Sequence, residues 1–274
     1  MIDAFPAAEP GAGATPGGEV PGTASPDAGE SDHALAARLA VAAGQLLVRL
    51  RDDLTAAGAY YYDVMDSGDQ AAHLFLVDEL ATARPTDSVL SEEGSDDRRR
   101  LQAERVWIVD PLDGTNEYGE GRADWAVHVA LWERGDLVAG SVSLPSLGLV
   151  FATDPAPVVP ASGREHPRLV TSRTRTPHVA AAIARALQAD GIRMGSAGAK
   201  AMAVVLGEAD VYAHAGGMYE WDSAAPVAVA RAAGLHTSRI DGSPLVYNRA
   251  DPWLPDLLIC RPELAVAALA AIRG

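Results

Sequence analysis

VWIVDPLDGTNE, residues 106–117, is the stretch from which the rest of the chain can be read. The apolar run Val106 to Val109 has strand character and ends at Asp110. Pro111 stiffens the exit, and Asp113-Gly114-Thr115 turns the chain into a polar segment. Asp110 and Asp113 are thereby presented at one strand's end with the Leu112 carbonyl between them. Oxygen ligands of this kind suit a hard divalent cation such as Mg²⁺, which keeps several waters for a phosphate to replace. Backbone N–H groups around Gly114 and Thr115, at a turn that opens a helix, suit phosphate oxygens. Read alone, D-x-x-D-G-T is equally an Asx turn closing a strand.

Three further segments carry carboxylates at element ends. VLSEE, residues 89–93, ends a second apolar strand at Glu92, where a solvated charge pair or a helix cap is the plain alternative. Asp69 closes DSGD at the expected mouth of a helix, and Asp222 follows Trp221 at another helix start; each reads as an N-cap when taken singly.

Around these segments the periodicities change along the chain. From Ser31-Asp32 a capped helix is expected, with Leu35, Leu39, Ala42, Leu46 and Leu50 on its apolar face. A second follows Asp66 to Asp69, with Leu74, Val77 and Ala81 inward. Strand-like runs come next at Ser88 to Ser91, Val106 to Val109, Trp125 to Trp132, Leu137 to Leu144 and Gly148 to Thr153. Beyond the Pro-rich link from Pro155 to Pro160, short strands (Arg168 to Thr171, Ile192 to Met194, Asp210 to Ala213, Leu257 to Cys260) alternate with helical runs (Pro177 to Ala189, Ala199 to Leu206, Ser223 to Ala233, Pro262 to Ile272). The expected organisation is a disordered tail over residues 1–30, an α+β unit carrying the carboxylates over 31–160, and an α/β unit over 161–274.

Composition bounds the function. The chain has 274 residues, enough for one large or two small domains, and 37 acidic against 22 basic residues give a net charge of −15. The first thirty residues hold five acids and no base, so −10 remains on residues 31–274, the wrong sign for a nucleic-acid polymer. Cys260, the single cysteine, sits in the apolar run LLIC and reads as a plain core residue. No run of about 18 apolar residues and no secretory leader is evident, so the expectation is a cytoplasmic protein without a membrane span. The one near match to G-x-G-x-x-G lies in the tail, and neither a Walker A segment nor G-x-S-x-G occurs.

Taken together, WIVDPLDGTNE, WDSAAPVAVARAAG and the upstream VLSEE resemble the signatures of the inositol monophosphatase superfamily, Mg²⁺-dependent and lithium-sensitive phosphatases, over about residues 32–274. The resemblance implies a layered αβαβα sugar-phosphatase fold, two or three Mg²⁺ ions and a homodimer. It makes Glu92, Asp110, Asp113, Asp222 and the Leu112 carbonyl metal ligands, with Asp110 bridging two ions. Glu92 and a Thr115–Asp69 pair would activate the attacking water, and the Gly114 and Thr115 amides would bind the phosphate.

Lys200, in GSAGAKAM, is the chain's one lysine, the other 21 basic residues being Arg. A compact ammonium suits a phosphate. Gly-Ser followed by Lys resembles the 3′(2′),5′-bisphosphate nucleotidases of the CysQ type, which implies 3′-phosphoadenosine 5′-phosphate as substrate and a role in clearing a by-product of sulfate assimilation. Ser196 and Lys200 would then contact substrate, Trp221 would pack beneath the site, and His214, where inositol-specific members carry a Glu, is either a substrate contact or a buried structural histidine. Asp241-Gly242 in DGSPLVYN reads as a turn and Asp96 to Arg100 as a solvated loop. Inositol-1-phosphate or fructose-1,6-bisphosphate is the alternative substrate. A regulatory module that binds metal or ligand without catalysis is the non-enzymatic one, disfavoured because Asp69, Glu92, Asp110, Asp113, Thr115 and Asp222 are all present.

Overall fold

The computed structural model describes residues 29–273, so the tail expected over residues 1–30 lies outside the described residues except for its last two. Glu30, one of those two, accepts from Arg38 Nε at 3.0 Å and so belongs to the folded part. Helices α1 (Asp32–Ala56) and α2 (Tyr61–Ala83) come first, and then strand β1 (Ser88–Ser91). Strand β2 (Arg105–Asp113), helix α3 (Thr115–Gly119) and strands β3 (Ala126–Glu133), β4 (Asp136–Leu144) and β5 (Leu149–Ala152) follow. The remainder is β6 (Arg168–Ser172), α4 (His178–Leu187), β7 (Asp190–Met194), α5 (Ala197–Val205), β8 (Val211–Tyr219), α6 (Glu220–Ala232), β9 (His236–Ser238), β10 (Trp253–Cys260) and α7 (Pro262–Arg273).

Two five-stranded sheets result, ordered β1-β2-β3-β4-β5 and β7-β6-β8-β10-β9. In the first, β1 runs parallel to β2 and the other pairs are antiparallel; in the second, β7, β6 and β8 are mutually parallel while β10 and β9 are antiparallel additions. Helices α1 and α2 cover one face of the first sheet, α5 and α6 lie between the sheets, and α4 and α7 cover the far face of the second. This is the expected five-layer αβαβα arrangement. The segment around residue 160 joins the sheets, and the middle core draws side chains from both of them.

Strand β2 shows why its sequence is apolar without alternation. Trp107 and Val109 enter the core under α1 and α2, whereas Val106 and Ile108 enter the middle core, so both faces are buried. Asp110 follows in register on the middle-layer side, where α6 begins. Helix α1 keeps the expected Leu35 and Leu39 inward and departs from the expected face beyond them, whereas α2 is rotated from its expected face. Helix α1 buries Leu35, Leu39, Ala43 and Leu47, leaving Ala42, Leu46 and Leu50 half-buried. Helix α2 starts at Tyr61, ahead of the DSGD segment, and buries Val64, Ala72, Leu76 and Leu80, leaving Leu74 exposed. Their many alanines make either face apolar enough, and contact with the sheet decides between them. By length and composition α1 alone among the described helices is apolar enough to cross a membrane, but its buried face is spent on β3, β4 and α2.

Candidate active site

The carboxylates of β2 and α6 meet in the middle layer. Asp110, wholly buried, accepts the Leu112 N–H on Oδ1 at 3.1 Å, while its Oδ2 has no hydrogen-bond partner and lies 3.9 Å from His128 Nδ1. His128 stands opposite Asp110 in the β2–β3 ladder, so strand register brings them together. The ladder slips between Asp110 and Asp113, and Gly114, with φ at +94°, carries the chain into α3 through a conformation that side chains disfavour. Asp113 is held from the second half of the chain: Ser196 donates its hydroxyl, and the Ala197 and Gly198 N–H groups donate at 3.1 and 2.6 Å. Asp222, in the first turn of α6, accepts the Tyr219 N–H at 2.5 Å. One oxygen from each of Asp110, Asp113 and Asp222 lies within 4.8 Å of the other two.

These three acids form no ion pair with Arg or Lys among the described residues. Burial and the charges of Glu92, Asp113 and Asp222 push the Asp110 carboxyl well above its ordinary range. Burial and Asp113 raise Asp222 to about 6. For Asp113 burial pulls the same way but is outweighed by His128, Lys200 and the Ser196 hydroxyl, which hold it below the ordinary carboxylate value. A buried, partnerless carboxylate oxygen beside two more carboxylates is unfavourable in isolation and fits the oxygen donor set of a hard divalent cation.

The other expected water-activating residues surround this cluster. Glu92 lies just past β1, solvent-accessible and outside the three-carboxylate set. The surrounding protein and Asp222 nevertheless raise it to about 7. Asp69 lies inside α2 rather than capping it. Burial and the charge of Glu93 raise it to about 7. Its Oδ1 is 3.4 Å from the Thr115 hydroxyl, which is also 3.1 Å from the Leu112 carbonyl; one hydroxyl proton serves whichever acceptor it points to.

The residues expected to contact substrate are more occupied with protein than the sequence reading implied. Ser196, at φ +49°, caps α5 by accepting the Ala199 N–H as well as donating to Asp113. Lys200, 5% exposed, donates to the Gly195 carbonyl at 3.1 Å and to the Ser196 carbonyl, with its ammonium 5.5 Å from the centre of the Tyr212 ring. His214 places Nε2 2.9 Å from the Gly217 carbonyl, and burial lowers its pKa. Trp221 stacks on Tyr219 with ring centres 4.7 Å apart, and its carbonyl lies 3.1 Å from His128 Nδ1. All but Trp221 line one cavity of about 650 Å³, together with Asp113, Asp222, Arg175 and Tyr219.

Arg175 and His128 escaped the sequence reading. His128 sits in a strand buried on both faces, whose apolar run gives no alternation to single it out, and Arg175 lies in a loop that carries no periodicity. The Asp96–Arg100 segment is not a solvated loop throughout: Arg100 is buried, paired with Asp96 at 2.7 Å and donating to Asn248 Oδ1 at 2.7 Å. Asp241-Gly242 is the expected turn, with Gly242 at φ +88° and Asp241 accepting the Ser243 N–H. Cys260 is a fully buried free thiol, pushed up to about 12 by burial.

The profile of the inositol monophosphatase family matches residues 30–272. Over 260 residues the chain is 46% identical to a 3′-phosphoadenosine 5′-phosphate phosphatase of Mycobacterium leprae, covering 89% of this chain and 94% of that protein. It is 31% identical over 242 residues to the 3′(2′),5′-bisphosphate nucleotidase CysQ of Escherichia coli O157:H7, covering 79% of this chain and 94% of that protein. The crystal structure of CysQ from Bacteroides thetaiotaomicron superimposes with a TM-score of 0.68 at 27% identity, covering 83% of this chain and 96% of that one.

Proposed function

The chain belongs to the inositol monophosphatase family, and from that premise we propose that it is a Mg²⁺-dependent phosphomonoesterase that removes the 3′-phosphate of 3′-phosphoadenosine 5′-phosphate, giving AMP and phosphate. The likeness to phosphatases of that nucleotide supports the substrate, and their CysQ-type relatives support a place in clearing a by-product of sulfate assimilation. The observation that carries the chemistry is the cluster of Asp110, Asp113 and Asp222 with one Asp110 oxygen left without a partner.

In this reading Asp110, Asp113 and Asp222 hold the cations, joined by Glu92 and the Leu112 carbonyl. Divalent cations bound there supply the charge that makes water a nucleophile at neutral pH and that stabilises the departing oxygen. Glu92 and the Thr115 hydroxyl, oriented by Asp69, draw the proton from the attacking water. The Gly114 and Thr115 amides orient the phosphate, so that the water oxygen bonds to phosphorus as the bond to O3′ breaks, and the departing O3′ takes up a proton from solvent water. No side chain is phosphorylated in this sequence. The same reading includes a homodimer, for which sedimentation gives a direct count.

Phosphate release from 3′-phosphoadenosine 5′-phosphate, inositol-1-phosphate and fructose-1,6-bisphosphate, each with Mg²⁺ and with a chelator, tests the assignment. The nucleotide should give the highest kcat/KM and the chelator should abolish turnover. A sugar phosphate in first place would leave the metal chemistry intact and overturn the substrate.

A further inference from the structure

Three basic side chains line the cavity beside Asp113 and Asp222, and two of them are already engaged. Lys200 directs its ammonium at the Gly195 and Ser196 carbonyls and lies over Tyr212, so it braces the turn from which Ser196 holds Asp113. His214 is bonded to the Gly217 carbonyl, and burial, with Lys200 and Arg175 nearby, lowers its pKa. Arg175 is different: it is exposed to the cavity and makes no hydrogen bond or ion pair among the described residues.

Its guanidinium is nonetheless placed. Gly216, at φ +107° in β8, has Arg175 Nη1, Cζ and Nη2 at 3.1, 3.2 and 3.3 Å from where a Cβ would stand, so the guanidinium lies against bare backbone. Any larger residue at 216 would meet both an unfavourable backbone conformation and the guanidinium. A planar cation settled on glycine backbone, with its N–H groups unspent, is suited to bidentate contact with a phosphate. The carboxylates at the same cavity cannot serve that purpose, since they repel a phosphate until cations are bound.

The geometry points to Arg175 as the specificity-determining residue for a second phosphate on the substrate, the one that is not hydrolysed. This rests on the phosphatase reading above and moves the role there implied for Lys200 to a different side chain. Lys200 becomes a positioning residue that acts through Ser196 on Asp113, and Arg175 the group that separates a nucleoside bisphosphate from a monophosphate.

The test compares kcat/KM for adenosine 3′,5′-bisphosphate with that for adenosine 3′-phosphate, which lacks only the second phosphate, in the wild type, Arg175→Met and Arg175→Lys. A hydrogen-bonded charge contact at an exposed position corresponds to about tenfold. Arg175→Met should therefore lower the ratio of the two kcat/KM values about tenfold, through KM rather than kcat, and Arg175→Lys should restore part of it. A ratio within twofold of the wild type in Arg175→Met overturns the proposal. A wild type that hydrolyses neither nucleotide but releases phosphate from inositol-1-phosphate overturns the substrate reading itself, which keeps the two failures distinct.

Discussion

Asp210 and Asp110 are almost equally buried, at 1% and 0% exposed, and their surroundings are opposite. Asp210 is met by the Arg168 N–H at 2.8 Å, by Arg261 Nε at 2.6 Å and by Arg164 at 3.5 Å, and the first two hold its carboxyl below the ordinary value against the pull of burial. Asp110 faces Glu92, Asp113 and Asp222 and is driven the other way. A buried carboxylate given cations by the protein has its charge compensated where it stands, whereas one placed among its own kind leaves an electrostatic deficit that a bound ion must make good. The first arrangement ties β6 to β8 and to the start of α7; the second opens on the cleft.

Removing a charge from each place should therefore have opposite signatures. Asp110→Asn takes away the expected bridging ligand, and loss of several kcal/mol of transition-state stabilisation corresponds to a fall in kcat of about a thousandfold or more. In the chelated protein the same substitution relieves repulsion, so the melting temperature should match or exceed that of the wild type. A variant that melts earlier without metal would place Asp110 in the same class as Asp210 and erase the distinction.

Asp210→Ala is the converse. It leaves Arg261, only 7% exposed, with the Pro160 carbonyl as its remaining partner, and breaking a buried pair costs about 3–5 kcal/mol. Urea unfolding should show the loss while Mg²⁺ dependence and KM stay as in the wild type. A change in metal affinity would mean that the two acidic regions are coupled through the second sheet.

Acidity separates the regions in a third way. Glu92 and Asp69 are raised to about 7 and Asp222 to about 6, so these groups bind protons more tightly in the folded chain than in the unfolded one. Their contribution to stability is full below the ordinary carboxylate range and is lost as pH rises from about 4 to 7. Asp210, with a lowered value, contributes fully above its ordinary pKa of 3.8 and loses that contribution as pH falls further. The chelated protein should melt at a lower temperature at pH 7 than at pH 5, and Mg²⁺ should reverse the trend. A chelated protein equally stable at both pH values would count against a repulsive cluster.

The same contrast explains what was legible beforehand. Strands β1 to β5 and the ends of β2 and α6 announce themselves locally, because an apolar run closed by Asp, Pro or Gly has few other ways to fold. The meeting of Asp110, Asp113 and Asp222 was reached by resemblance, since nothing in their spacing brings residue 222 to residue 110; two layers of packing do that. The faces of α2 and of the second half of α1 are not legible locally, because alanine permits two registers and the sheet selects one. Arg100 sits in a charged run that reads as solvated, because its partners Asn248 and the Arg249 carbonyl are nearly 150 positions away. Lys200 drew attention by being unique in composition, but its hydrogen bonds go to carbonyls four and five positions before it, a local contact that composition does not reveal.

Distance alone does not set the strength of an ion pair, and the exposed Asp97–Arg99 pair supplies the comparison. Arg99 Nη2 lies 2.6 Å from Asp97 Oδ2, the same separation as Arg261 Nε from Asp210 Oδ1, but the Arg99 and Asp97 side chains are 90% and 51% exposed against 8% and 1%. Water and salt screen the outer pair, and holding two long side chains together costs entropy, so its net contribution is close to nothing. Arg99 is the side to truncate, because Asp97 also accepts the Arg99 N–H at 3.0 Å and its loss would remove a cap along with a charge. Arg99→Ala should leave the thermal midpoint unchanged within error at low and at physiological salt. A loss comparable to that of Asp210→Ala would mean that the short separation, rather than exclusion from water, gives the buried pair its strength.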